Sequence, residues 1–182
     1  MKKDPLIFIA LLPDEALQQE VTGFKKYIAN TWGSSHALKS PPHLTLQPPF
    51  AWPESDLDRL KDCLARFASR QSSFPVELNG FGAFSPRVVF VRPVKNAGLE
   101  RLFQQLTQAL RDDLEFSDPR NDRPFHPHMT IAHRDLSEDD FPAVWAHFRN
   151  EKLERRFTAA ALTLLRSVQG KWVAEAEFTF GH

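Results

Sequence analysis

The amino-acid sequence predicts an α+β protein with two lobes, each a small antiparallel sheet backed by helices. Three observations favour this fold class. The order strand, helix, strand, helix, strand can be traced twice along the chain. Each predicted helix has a single apolar stripe, so it can cover one face of a sheet. Several predicted strands alternate apolar and polar residues, which is typical of sheets with one covered face. We interpret the repeated order as a duplicated unit, with pseudo-two-fold symmetry and a cleft between the lobes.

The first unit begins with a buried strand over residues 6–12, an apolar run that is bounded by Pro13. A helix, a loop and a strand that begins at His43 follow, and a second helix comes after that strand. The apolar residues of the two helices recur at intervals of three or four positions. They are Leu17, Val21, Phe24 and Ile28 in the first helix, and Leu57, Leu60, Leu64 and Phe67 in the second.

A hairpin between residues 74–78 and 87–91 connects the two units, with its turn at residues 84–87. The second unit continues with a helix, a polar loop and a strand that begins at His128. Its last helix is predicted to follow Ser137, which is a suitable N-cap residue. The apolar positions of these two helices are Leu99, Leu102, Phe103, Leu106 and Leu110, then Phe141, Val144, Trp145 and Phe148.

A second hairpin ends the chain. It is formed by a strand over residues 159–165, a tight turn at Gln169-Gly170 and a strand over residues 171–180. The last strand alternates apolar and polar residues, which predicts that its apolar residues share one covered face. These residues are Trp172, Ala174, Ala176, Phe178 and Phe180.

Two short segments, one in each unit, carry nearly the same pattern. They read His43-Leu44-Thr45-Leu46 and His128-Met129-Thr130-Ile131, that is, His-x-Thr followed by an apolar residue. In a strand, residues i and i+2 lie on the same face, about 6.5–7 Å apart. Each histidine therefore shares a face with its threonine, while the apolar residues point into the core. The duplicated pattern predicts one polar site that contains two imidazoles and two hydroxyls.

Two histidines can supply a base and an acid for one reaction without a metal ion. Opening a 2′,3′-cyclic phosphate, or cleaving a phosphodiester next to a hydroxyl group, needs one of each. The threonine hydroxyls can donate hydrogen bonds to the non-bridging phosphate oxygens, where charge develops in the transition state. With ordinary histidine pKa values of about 6.5, kcat/KM is expected to peak at about pH 6–7.5. We therefore expect phosphoester chemistry that needs no cofactor.

The composition restricts the class of protein and its partners. The net charge is zero, so we expect a nucleotide or an RNA terminus in a local pocket, and no long nucleic-acid groove. The single cysteine, Cys63, excludes an internal disulfide and suits a reducing compartment. No segment approaches the roughly 20 apolar residues of a membrane span. We expect one monomeric, cytoplasmic domain over residues 1–182, with motif strands near residues 43–50 and 128–134.

The two motifs resemble those of the 2H phosphoesterases, a family that includes the RNA 2′,3′-cyclic phosphodiesterases, also named 2′-5′ RNA ligases. The resemblance covers essentially the whole chain. A proline precedes each motif histidine and Pro49-Phe50 follows the first motif, as in the bacterial branch of the family. The resemblance implies a duplicated bilobal fold and no metal requirement. It implies substrates such as RNA ends, 2′-5′ linkages and small cyclic phosphates.

The resemblance also implies roles for individual residues. The functional residues of the family correspond to His43, Thr45, His128 and Thr130. His128 would activate the attacking water, and His43 would protonate the leaving ribose oxygen. The chain departs from the family at one position. Many members have arginine five residues after the second histidine, whereas this chain has His133 there, with Arg134 one place later.

Five further side chains are candidates for substrate binding. The aromatic residues Phe50, Trp52 and Phe125 lie near the motifs and could stack on a nucleobase, although aromatic residues beside a strand are more often part of the core. His126, two positions before the second motif histidine, would lie at the edge of the cleft. Arg134 could hold a phosphate or could be a solvated loop charge.

Two alternatives to a metal-independent phosphodiesterase follow from the same residues. A catalytically weak protein could use the cleft to bind nucleotides or RNA ends. A metal-dependent hydrolase could instead coordinate an ion with His126, His128 and His133. This second alternative is less favoured, because His133 has the opposite parity on the strand and the spacing places no carboxylate beside the histidines.

Overall fold

The computed structural model describes residues 4–182. In this range the chain forms eight strands and four α-helices, joined in part by short 3-10 turns. The strands are β1 Leu6–Leu11, β2 Leu44–Ala51, β3 Phe74–Phe84, β4 Val88–Pro93, β5 Met129–Ala132, β6 Glu154–Ala159, β7 Ala161–Val168 and β8 Lys171–Thr179. The helices are α1 Glu15–Trp32, α2 Leu57–Ser69, α3 Ala97–Leu114 and α4 Phe141–Phe148. The repeated order of the sequence prediction is present, as β1-α1-β2-α2-β3 and β4-α3-β5-α4-β6.

The strands form two four-stranded antiparallel sheets, which confirms the predicted α+β class. The order in the first sheet is β2-β1-β7-β8, and the order in the second is β5-β4-β3-β6. The sheets do not coincide with the sequence units, since β3 pairs with β4 of the second unit and β7 returns to pair with β1. Each motif strand lies at the edge of its sheet and pairs with the strand that opens its own unit. The two motifs therefore occupy equivalent positions.

The helices also cross between the units. Helix α1 covers the second sheet, where the ring of Phe24 lies 5.4 Å from that of Phe81 on β3 and 6.0 Å from that of Phe148 on α4. Helix α2 packs on β8 of the first sheet. The segment after α3 also packs there, with Phe116 4.6 Å from Phe50 of β2. One apolar core consequently extends through both lobes.

The chain enters and leaves its helices at local signals. Asp14 accepts a hydrogen bond from the backbone of Leu17 at 3.0 Å and caps α1. The prediction that Ser137 caps the last helix is wrong. Helix α4 begins at Phe141, because residues 138–140 form a turn that the Ser137 hydroxyl stabilises by accepting a hydrogen bond from the backbone of Asp140 at 3.0 Å. Across residues 4–182, no helix combines the length and hydropathy that a transmembrane span requires.

A β-bulge in β8 overturns the prediction that its apolar residues share one face. Leu164 pairs with Ala176 but Leu165 pairs with Ala174, so Glu175 is an extra residue in the ladder. The extra residue reverses the alternation of the strand. Phe178 therefore packs against the main core, while Trp172 packs with Phe8, Ala10, Leu12 and Leu165 on the opposite face of the sheet.

A second irregularity makes β3 longer than its sequence pattern predicts. The register between β3 and β4 shifts between Leu78 and Phe81, and Gly80 in this segment has a φ of 65°. Glycine adopts this conformation without strain. The glycine at position 80 therefore permits a bulge here, and the strand can continue beyond it. The strand continues to Phe84, and the predicted turn at residues 84–87 connects it to β4.

Candidate active site

The four motif residues lie in matched positions on the two sheets. His43 and His128 each stand one residue before their strands, at the points where β2 and β5 begin. Thr45 pairs with Ala10 of β1, and Thr130 pairs with Phe90 of β4. The intervening apolar residues are buried, as the alternation predicted: Leu44, Leu46, Met129 and Ile131. Each motif thus directs its polar pair away from the core.

Both imidazoles are oriented by the same type of hydrogen bond, to the backbone carbonyl two residues earlier. Nδ1 of His43 lies 2.7 Å from the carbonyl oxygen of Pro41, and Nδ1 of His128 lies 2.8 Å from that of His126. A carbonyl oxygen can only accept a hydrogen bond, so Nδ1 carries the proton in each neutral ring. In both loops a proline, Pro42 or Pro127, separates the histidine from this carbonyl and restricts the backbone between them. The arrangement leaves Nε2 of each ring available for proton transfer.

His128 contacts two aromatic rings, and His43 contacts one ring that is itself packed on another. Phe8 lies 4.8 Å from His43 and 4.7 Å from Trp172. On the other lobe, Phe84 lies 5.2 Å from His128, and Phe90 lies 5.5 Å from it. Phe8 and Phe90 are buried, whereas Trp172 is partly exposed and Phe84 is 43% exposed. These contacts place apolar surface beside the two imidazoles.

Sequence reasoning does not identify these aromatic residues. Phe8 and Phe90 lie in apolar runs that predict only buried strands, and the alternation of the last strand assigns Trp172 to the covered face. The bulge at Glu175 turns Trp172 to the side of His43, and an alternating pattern gives no sign of such a bulge. Phe84 is the only one of these four residues whose exposure the sequence suggests. It is the first residue of the turn at 84–87, and a large apolar residue at a turn is often exposed.

The surroundings lower the pKa of both histidines. Burial is the main cause for His43, and the charges of Lys25 and His128 add to it, so that its pKa falls to about 4 despite the opposing hydrogen bond to Pro41. Burial likewise lowers the pKa of His128, with a further contribution from His126. At neutral pH both imidazoles are therefore uncharged in the free protein.

A cluster of basic side chains lies beside the second motif. The ring of His36 is 5.8 Å from that of His133, and the pKa of each is lowered mainly by burial and also by the charge of Arg134. Oδ2 of Asp135, the residue after Arg134, accepts hydrogen bonds from the backbones of Ser35 and His36 at 2.9 Å and 2.8 Å. The charge of Arg134 contributes positive potential to this part of the site.

The three aromatic candidates from the sequence pack against other aromatic rings. Phe50 and Trp52 are only 7% and 8% exposed, and both pack on Phe116 in the core. Phe125 stacks on Phe103 of α3 at 4.3 Å, with nearly parallel planes, so one of its faces is occupied. Phe50 and Trp52 are therefore buried in the core, and one face of Phe125 is packed against α3. Their aromatic character in the sequence reflects packing of the core.

The histidines of the metal-binding alternative do not converge. His126 is exposed and contributes its backbone carbonyl to His128, whereas the ring of His133 turns towards His36. Among the side chains of residues 4–182, no three histidines, cysteines or carboxylates are grouped so that they could hold a metal ion. The sequence argument from strand parity does not apply to His133, because β5 ends at Ala132 and His133 lies beyond it.

Comparison with known proteins shows which family and which solved structures the chain resembles. The model of the 2′-5′ RNA ligase superfamily matches residues 13–171. An RNA 2′,3′-cyclic phosphodiesterase of Bacillus subtilis is 35% identical over 105 residues, which is 56% of each chain. A protein of Thermus thermophilus has the same fold, with a TM-score of 0.70 and 20% identity over 97% of this chain and 98% of its own. LigT of E. coli in complex with 3′-AMP superimposes with a TM-score of 0.68 and 18% identity, over 99% of this chain and 100% of its own.

Proposed function

Because the chain belongs to the 2′-5′ RNA ligase superfamily, we propose that it is a metal-independent phosphodiesterase that uses His43 and His128 as acid and base. Its substrates would be 2′,3′-cyclic phosphates or 2′-5′ phosphodiesters at RNA ends or in nucleotides. The observation that carries the proposal is the matched pair of imidazoles, each with Nδ1 fixed by a carbonyl oxygen and each followed two residues later by a threonine. Such a pair supplies both proton-transfer groups that the reaction requires.

For a 2′,3′-cyclic phosphate, the reaction forms one bond and breaks another. The oxygen of a water molecule bonds to phosphorus, and one ribose oxygen leaves. A neutral imidazole takes the proton of the water, and a protonated imidazole gives a proton to the leaving oxygen. The hydroxyls of Thr45 and Thr130 would donate hydrogen bonds to the non-bridging oxygens as their negative charge increases.

The charge distribution supports an anionic substrate of limited size. The protein has no net charge, yet Lys25 and Arg134 act on the histidines of the site. A phosphate bound between the motifs would offset these positive charges. The relative LigT binds 3′-AMP, which agrees with a nucleotide-sized ligand. For the nucleobase we propose Trp172 and Phe84, because they are the more exposed rings on the two histidine sides of the site.

The dependence of activity on pH tests the proposal. The free enzyme must hold one proton on the histidine pair, and the pKa of each histidine lies below its ordinary value. We therefore expect a bell-shaped profile of kcat/KM with its maximum below about pH 6.5, more acidic than ordinary histidines would give. The two limbs belong to the pair and not to named residues. Steady-state kinetics from about pH 4 to 9 with a nucleoside 2′,3′-cyclic phosphate would measure it.

The same experiment contains an internal comparison. The negative phosphate of the bound substrate raises the pKa of both histidines, so the maximum of kcat should lie at higher pH than that of kcat/KM. A profile that is flat from about pH 5 to 9 would mean that protons move through other groups. Saturable nucleotide binding without turnover at any pH would favour the non-catalytic alternative.

A further inference from the structure

We propose that Lys25 is a positioning residue that makes the two motif histidines unequal. It fixes the segment that orients the His43 imidazole, and its charge disfavours a proton on that ring. The inference about kinetics rests on the proposed function, whereas the inference about His43 in the free protein does not.

Lys25 is a buried cation in α1. Its side chain is 2% exposed, and its ammonium donates one hydrogen bond, to the carbonyl oxygen of Ser40 at 2.9 Å. Within the described part of the chain, no carboxylate lies within ion-pair distance of it. Lysine is rarely buried without a partner, because removing an ammonium from water is costly. A position that needed only packing would be better filled by an apolar side chain.

The hydrogen bond of Lys25 leads directly to His43. Ser40 precedes Pro41, whose carbonyl oxygen lies 2.7 Å from Nδ1 of His43, and Pro42 separates that carbonyl from the histidine. Two successive prolines restrict this segment, so fixing the Ser40 carbonyl also fixes the direction of the next one. Lys25 thus supports the group that orients the imidazole, and it adds a positive charge beside it.

His128 has no equivalent of this lysine among the described residues. The charged groups that act on His43 are Lys25 from α1 and His128 from the segment before β5. For His128 the corresponding group is His126 from its own segment. The carbonyl that holds His128 belongs to the exposed His126 and is not reached by a buried cation. Both histidines therefore make the same hydrogen bond to a backbone carbonyl, but the charge of Lys25 acts on His43 and not on His128. This charge disfavours a proton on His43.

The stability of the protein separates this role from a purely structural one. Burial lowers the pKa of Lys25 to about 8, so the folded state binds its proton less tightly than the unfolded state does. The resulting penalty is complete below about pH 8 and decreases as pH rises towards the ordinary lysine pKa of about 10.4. Removing the charge should therefore stabilise the fold at neutral pH, whereas removing a structural side chain should destabilise it.

The test uses K25M, K25Q and K26M in the full-length protein. Lys26 is the exposed neighbour on the same helix, so K26M removes the same charge without the contact. The pKa of His43 is measured in the free protein by NMR titration of its imidazole, assigned with H43N. Because no substrate is present, this result does not depend on the proposed function. Melting temperatures are measured from about pH 7 to 10, the range in which Lys25 loses its proton.

We expect K25M and K25Q to raise the pKa of His43 more than that of His128, and K26M to change neither. K25M should melt at or above the wild-type temperature at about pH 7, with the difference decreasing towards about pH 10. In kinetics, the acidic limb of kcat/KM should move to higher pH in both Lys25 variants. An unchanged pKa of His43, or a K25M variant that unfolds or melts well below the wild type, would overturn the proposal.

Discussion

His43→Ala and His128→Ala are each expected to lower kcat/KM on a 2′,3′-cyclic nucleotide by about 10²–10⁴, which is the typical contribution of a positioned acid or base. Each substitution removes one of the two proton-transfer groups that the proposed reaction needs. The double variant should be little worse than the less active single variant, because groups that act as a unit are not additive. Steady-state kinetics on the purified variants would measure these effects.

The chain offers a matched control for this experiment. His147 is an exposed histidine on α4 that packs near Tyr27, away from the motifs. His147→Ala should keep nearly full activity. Circular dichroism would check that all variants remain folded. A folded His43 or His128 variant with near wild-type activity would remove the two-histidine mechanism.

Thr45→Val and Thr130→Val are expected to lower the whole pH profile by about 10–10³ without moving its limbs. Valine has nearly the same shape as threonine but cannot donate a hydrogen bond to a non-bridging phosphate oxygen. Threonine does not titrate in this range, so the proton equilibria of the histidine pair should be preserved. The measurement is kcat/KM across the same pH range as for the wild type.

Thr158→Val provides the comparison for these two variants. Thr158 is an exposed threonine on β6, at the edge of the second sheet opposite to β5. Its substitution should leave both the height and the limbs of the profile unchanged. If Thr45→Val or Thr130→Val shifted the limbs but kept the height, the hydroxyls would act on the histidines and not on the phosphate.

The placement of the motif residues could be predicted because it depends on local geometry. Period-two alternation determines which residues of each motif are buried, and Leu44 and Met129 do face the core. The repeated order of elements likewise predicted the two sheets. The pairing of β3 with β4 was predicted as a hairpin, but the return of β7 to pair with β1 could not be predicted, because pairing partners that are distant in the chain leave no local pattern.

The residues around the motifs were predicted less well, for physical reasons that differ. Phe50 is a stacking candidate in the sequence, but its ring fills the core against Phe116. Trp172 reaches the site because of an extra residue in β8, which no alternation reveals. Lys25 is one of two adjacent lysines in an amphipathic helix, and only the tertiary structure shows that it is buried and Lys26 is not.

The most direct test of the two-histidine account is the turnover of the four nucleoside 2′,3′-cyclic monophosphates in excess EDTA, with the product isomer identified. Both proton-transfer groups are imidazoles, so activity should survive the chelator and disappear in the double histidine variant. One acid aimed at one ribose oxygen should yield a single phosphomonoester isomer. Loss of turnover in EDTA that one divalent metal ion restores would contradict the account, as would a mixture of both isomers.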